Sequence, residues 1–208
     1  MISAQEALDR LREGNRRFVA NLGNTDDSSG RARPVELTME QAPFAIVLGC
    51  SDSRVPVEIV FDQGLGDLFV IRVAGNIVAP SLIGSVEFAA SRFGTRLVVV
   101  LGHSRCGAVR ATIDELQRPA ESQSPNLRSI VDRVRPALEG LLKTELKHDS
   151  DALWRQGVRS NVNASVNQLR SGSAILEQLM HNDRLLIVGA EYSTETGIVE
   201  FFDGVESA

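Results

Sequence analysis

Four short, almost wholly apolar runs restrict what this chain can fold into. They are Phe44-Ala45-Ile46-Val47-Leu48, Leu68-Phe69-Val70-Ile71-Arg72-Val73, Leu97-Val98-Val99-Val100-Leu101 and Leu185-Leu186-Ile187-Val188. Each reads as a buried strand, and segments with helical spacing lie between them, an alternation that argues a parallel sheet with helical crossovers. Ile198-Val199-Glu200-Phe201-Phe202 follows the turn-like Glu195-Thr196-Gly197 and reads as an edge strand folded back on the fourth run. The expected fold class is α/β: a mainly parallel central sheet of four strands plus an antiparallel edge strand, flanked by helices.

The helices follow from caps and spacing. Ser3 with Glu6 forms a capping-box pattern, and Ala4, Leu8, Leu11 and Phe18 then recur on one face, which predicts a helix over 4–20 that Gly14 weakens modestly. A polar stretch from Asn21 to about Pro34 reads as a loop. The first helix is therefore loosely tethered and is expected to dock away from its neighbours, with another subunit as its candidate place. Val57–Phe61 is a short helical stretch, and Ser81 opens a helix with Leu82, Val86, Ala89 and Phe93 on one face, closed by Gly94. Further helices are expected through Val109, Ile113 and Leu116, through Leu127 to Leu141 with a bend or break at Pro136, through Val158 to Leu169, and through Ile175 to Leu179. A loop is expected over Pro119–Pro125. A length of 208 residues suits one domain, 1–208, with an N-terminal helical arm at about 1–34.

Charge narrows the partners. With 22 Lys+Arg against 27 Asp+Glu the net charge is −5, and no basic tract gathers the positive charges, so nucleic acid and anionic membrane are poor partners. The N-terminus lacks a basic region followed by an apolar run, and nowhere do 18 apolar residues follow one another, so a soluble cytoplasmic protein is expected. In that reducing setting Cys50 and Cys106 are expected as thiols or metal ligands, with a structural disulfide as the alternative.

The chemistry gathers where two of the runs end. Cys50-Ser51-Asp52-Ser53-Arg54 follows the first, and His103-Ser104-Arg105-Cys106 follows the third. If these strands are neighbours, Cys50, His103 and Cys106 converge at the carboxyl ends of strands, where open sheets bind ligands. Two thiols and an imidazole suit zinc better than magnesium or calcium, and three protein ligands leave the fourth zinc position open, as at catalytic sites. Cys106 falls at a helix N-terminus, which favours the thiolate. Asp52 and Arg54 can pair, either to brace the loop or to let an ionised carboxylate accept a hydrogen bond from metal-bound water. Asp52 could instead bind zinc itself, which would close the site. Gly102 and Gly107 flank the second piece, where backbone and substrate could come close. His148, in a charged stretch, and His181, at a helix end, are weaker ligand candidates.

These motifs, Cys50-Ser51-Asp52-Ser53-Arg54 with His103-x-x-Cys106-Gly107, resemble the beta class of carbonic anhydrases. The resemblance extends from Glu13-Gly14-Asn15-Arg16-Arg17-Phe18 through Arg72-Val73-Ala74-Gly75-Asn76 to the final hairpin. It implies one zinc per chain on Cys50, His103 and Cys106, and an Asp52–Arg54 dyad that orients or replaces the zinc water. The implied reaction is reversible hydration of carbon dioxide to bicarbonate and a proton by zinc-bound hydroxide. The resemblance also implies an obligatory homodimer, or a dimer of dimers, with the cleft at the subunit interface, and a substrate site that includes Gln41, Phe69, Phe88 and Gly107. Phe88 stands where many members carry tyrosine. A subgroup regulated by a second bicarbonate uses a tryptophan, an arginine and a tyrosine; Arg72 and Tyr192 match, but Val47 replaces the tryptophan, so that switching is not expected. A zinc hydrolase of carbon disulfide or carbonyl sulfide, a thiol-nucleophile enzyme and a non-catalytic zinc or bicarbonate sensor are the competing readings.

Overall fold

The structure, a computed structural model, describes residues 2–22, 41–119 and 124–205. Most of the loop expected over 21–34, and the middle of that expected over 119–125, lie outside the described residues. In chain order the elements are α1 (Ala4–Asn21), β1 (Ala45–Gly49), α2 (Val57–Val60), β2 (Leu68–Arg72), α3 (Pro80–Arg92), β3 (Leu97–His103) and α4 (Gly107–Gln117). There follow α5 (Pro125–Glu139), α6 (Ser150–Ser171), α7 (Ala174–Asn182), β4 (Leu186–Tyr192) and β5 (Val199–Asp203).

The five strands form one sheet in the order β2-β1-β3-β4-β5, parallel except for the β4–β5 pair. This is the expected fold class. β1 and β3 are buried at every position, because both sheet faces are covered. Ala45, Val47, Leu97, Val99 and Leu101 face one apolar cluster with α1 and α2, while Ile46, Leu48, Val98 and Val100 face another with α3, α6 and α7. Two-sided burial explains why these strands read as continuous apolar runs without alternation.

Helix α1 begins at the expected capping box, with Ser3 and Glu6 bonding reciprocally. Against the expectation of docking elsewhere, it packs on its own chain, where Ala7, Leu8 and Leu11 enter the first cluster. Gly14 is required here, because a Cβ would lie 1.8 Å from the Phe61 carbonyl oxygen at the end of α2. Asn15, also buried, donates from Nδ2 to the Val60 and Gly197 carbonyls at 3.1 and 2.8 Å and accepts from the Val199 amide at 2.8 Å. One side chain thus ties α1 to α2 and to the terminal hairpin.

Several boundaries differ from expectation. β3 continues to His103, so the histidine ends the strand. α3 starts at Pro80 rather than Ser81; proline needs no amide partner in the first helical turn. α5 runs through Pro136 to Glu139 without a break. The missing proline N–H costs one bond near the helix end, and the buried Val131, Val134 and Leu138 hold the helix on both sides of it.

Asn15→Ala is expected to destabilise the protein by about 2–4 kcal/mol, since it strands a buried amide and two carbonyls. Urea unfolding checks this, with Gln5→Ala on the exposed face of α1 expected to change little.

Candidate metal centre

β1 pairs with both β2 and β3, so the strand order reverses there. Gly49 is in register with Leu101; Cys50 leaves β1 one residue later and His103 ends β3 two residues later. Cys106 is the N-cap of α4. One ligand atom from each of Cys50, His103 and Cys106 lies within 4.8 Å of the other two, and all three residues are buried. Both cysteines are free thiols, which removes the disulfide alternative.

The donor set fits a soft divalent ion. His103 Nδ1 is 2.9 Å from the Ser104 carbonyl oxygen, which can only accept, so this nitrogen carries the proton and Nε2 presents its lone pair. Nε2 is buried without a hydrogen-bond partner, an expensive arrangement in a protein interior unless a metal occupies it. Cys50 Sγ accepts the Gly75 amide at 3.3 Å. The Cys50 thiol is held well below its ordinary value, first by a hydrogen bond from Cys106 and further by the Gly75 amide. Cys106 is pushed up, first by its bond to Cys50 and then by burial. Cys50 and Cys106 are thus pushed in opposite directions by one another, Cys50 toward the thiolate that a metal ligand must be. A buried Cys106 with a raised pKa is also a poor free nucleophile.

Asp52 stands beside this group but outside it. Arg54 donates from Nε to Oδ1 at 2.9 Å and from Nη2 to Oδ2 at 2.8 Å, and its amide adds a third bond to Oδ1 at 3.0 Å. The Arg54 side-chain bonds hold the Asp52 carboxyl far below the usual carboxylate range. Its Oδ2 comes to 3.8 Å from His103 Nε2, so an ionised carboxylate faces the ligand group while both oxygens remain engaged by the guanidinium.

Gly107, the first residue of α4, follows Cys106 directly, and nothing lies within 4 Å of where its Cβ would be. Gln41 is exposed ahead of β1. Phe69 pairs in register with Ile46, four residues before Cys50, which places it about 13 Å back along the sheet. Phe69 instead stacks with Phe93 and with Phe88 of α3, which is 53% exposed. A single chain therefore does not bring Phe69 and Phe88 to the ligand group. His148 and His181 are exposed and do not join it; His181 sits in the last turn of α7, where the helix dipole favours a cation.

The site also uses residues that motif spacing did not single out as its supports. Arg72 Nε and Nη2 donate to the Cys50 and Asp52 carbonyls at 3.0 and 2.6 Å and so clamp the first ligand loop. Glu195, in the hairpin turn, accepts from Ser104 Oγ at 2.6 Å and Arg105 Nε at 2.9 Å, bracing the second. A polar turn beside a strand end was the only sequence signal for Glu195.

An α/β sheet that converges two thiols and an imidazole at its switch point, next to an arginine-held carboxylate, is the architecture of a zinc enzyme. The sequence model of the carbonic anhydrase family matches residues 45–199. A carbonic anhydrase of Mycolicibacterium smegmatis is 41% identical over 194 residues, covering 93% of this chain and 91% of that protein. Carbonic anhydrase 2 of Mycobacterium tuberculosis is 36% identical, covering 92% and 89%. Among solved structures, the Coccomyxa beta-carbonic anhydrase in complex with acetazolamide superposes with a TM-score of 0.71 at 26% identity, covering 94% of this chain and 86% of that one. The chain belongs to the carbonic anhydrase family, in its beta class.

Replacing Cys50 or Cys106 by alanine is expected to abolish zinc binding, measured as metal per chain on the folded protein. Replacing His148 or His181 should leave the zinc content unchanged.

Proposed function

We propose that this chain hydrates carbon dioxide reversibly to bicarbonate and a proton, with one zinc held by Cys50, His103 and Cys106. The observation that carries this reading is the buried three-member ligand group with the Asp52 carboxylate held beside it by Arg54. Bound zinc would acidify a water, lowering its pKa toward about 7 at favourable sites, and supply a charge that draws substrate oxygens.

The side chains supply the rest. Asp52 is the hydrogen-bond acceptor: its ionised carboxylate accepts a hydrogen bond from the attacking water and thereby orients it. Arg54 keeps Asp52 ionised and turned away from metal ligation, so the fourth position stays available. Gly107 leaves space for substrate beside Cys106. Gln41, as a hydrogen-bond donor, and Phe69 and Phe88, as apolar walls, complete the substrate site when a second copy of the chain contributes them. The distance of Phe69 from the ligand group within one chain and the exposure of Phe88 support that arrangement. The working form is then a homodimer or a dimer of dimers; beta-carbonic anhydrases of Sordaria macrospora are described as tetrameric.

Bicarbonate-driven switching is absent in this reading. Val47 is fully buried in β1, and two donor atoms of Arg72 are committed to the Cys50 and Asp52 carbonyls. No helix among the described residues is long and apolar enough to cross a membrane, and the net charge of −5 disfavours nucleic acid. The free thiols Cys50 and Cys106 suit a reducing compartment and support a cytoplasmic location.

Stopped-flow hydration of carbon dioxide by zinc-quantified protein tests the proposal: fast turnover with one zinc per chain is expected, and full zinc without turnover would overturn it. Because Cys50 and Cys106 each bring a negative charge to the centre, the rate is expected to rise from neutral to alkaline pH. Arg54→Leu should lower kcat/KM by about 10- to 100-fold with zinc retained.

A further inference from the structure

Helix α6 packs on β3, β4, α4, α5 and the 3-10 turn Ala74–Asn76. Trp154, Asn161 and Ser165 leave it on one stripe, since steps of seven and four residues at about 100° each return to within about 40° of one another. Each side chain donates to a backbone carbonyl in a segment that touches a ligand sulfur. Trp154 Nε1 donates to Cys106 O at 2.9 Å, Asn161 Nδ2 to Gly75 O at 2.8 Å, and Ser165 Oγ to Asn76 O at 3.0 Å. Asn161 and Ser165 are only 2% and 4% exposed, so these polar groups are placed at a desolvation cost that their bonds must offset.

The turn they hold is a demanding one. Gly75 and Asn76 both have positive φ, +72° and +43°; glycine adopts it freely, whereas in Asn76 it carries a cost that the surroundings must offset. A Cβ on Gly75 would stand 3.0 Å from the Ala108 Cβ at the start of α4, so the turn is wedged between the two cysteine segments. Held this way, the Gly75 amide points at Cys50 Sγ, 3.3 Å away.

We infer that α6 is the frame of the metal centre: Asn161 and Ser165 aim the Gly75 amide at the Cys50 sulfur, and Trp154 fixes the Cys106 backbone. All three are positioning residues, acting through backbone groups on the two thiolates. An amide donated to a metal-bound thiolate draws charge from sulfur and orients its lone pairs, so loss of the frame changes both metal affinity and sulfur-to-metal electronic coupling. The inference rests on the zinc reading of Cys50, His103 and Cys106.

The test uses the full chain as wild type, Asn161→Leu, Ser165→Ala, Ser165→Thr and, as a core control on the same helix, Leu169→Ala. Zinc affinity is measured by chelator competition, the thiolate-to-cobalt charge-transfer band by absorption of cobalt-substituted protein, and stability by urea unfolding. Asn161→Leu should weaken zinc binding by about 10- to 100-fold and shift the band. Leu169→Ala should lower stability while leaving affinity within about two-fold and the band unmoved. Ser165→Ala should shift both metal readouts in the same direction, and Ser165→Thr, which keeps the hydroxyl donor, should restore them. A wild type that takes up no zinc would overturn the zinc reading and this inference together. A wild type with one zinc per chain, and an Asn161→Leu variant indistinguishable from Leu169→Ala in metal affinity and band position, would overturn the inference alone. Where Asn161→Leu fails to fold, the Ser165→Ala and Ser165→Thr pair decides by the same two metal readouts.

Discussion

The parallel pairing of β1 with β3 is the constraint on which the rest of the structure depends. The register that sets Gly49 opposite Leu101 delivers Cys50 and His103 to one edge of the sheet, and the turn into α4 returns Cys106 to the same place. With β2 on the other side of β1, the strand order reverses there, the place where open sheets of this kind bind ligands. The apolar packing on both faces of β1 and β3 therefore does more than stabilise a sheet. A shift of one residue in that register would exchange the faces of every strand side chain and separate the ligands.

The centre also gathers groups that are costly to bury. His103 Nε2 is without a partner, and two thiols are buried side by side in apolar surroundings. These costs are borne by the surrounding frame and are offset when a cation binds. Charge is disposed accordingly. Arg54 neutralises Asp52 without hiding it, Arg72 directs two donors at two loop carbonyls, and Glu195, in the hairpin turn, accepts from the side chains of Ser104 and Arg105 between His103 and Cys106. The two ligand loops are thus braced by different elements, which limits how far either can relax when the other is disturbed.

Sheet, helices and ligand identities were legible in the sequence because each is written in local pattern. Continuous apolar runs mark strands buried on both faces, Ser3 and Glu6 mark a helix start, and two cysteines and a histidine at strand ends mark a soft-metal site. The misplaced boundaries have local reasons too: Pro80 serves as a first helical residue, and Pro136 is carried by the apolar residues around it. Asn161 and Ser165 were not legible in the same way. Inside the valine seam of α6 they look like tolerated polar residues, and only the fold shows the carbonyls to which they donate. Gly14 likewise reads as a weak point in α1 until the carbonyl of Phe61 is found against it.

By itself the sequence determined the α/β class, the candidate ligand set and the pairing of Asp52 with Arg54, since these depend on residue type and short spacing. Only the tertiary structure decided that α1 lies on its own chain through Asn15, that Asp52 faces the ligands with both oxygens held by Arg54, and that Phe69 and Phe88 stand away from the ligand group of the same chain. Those facts depend on strand register and on contacts between residues far apart in sequence, and a local pattern carries no information about which distant surface it will meet.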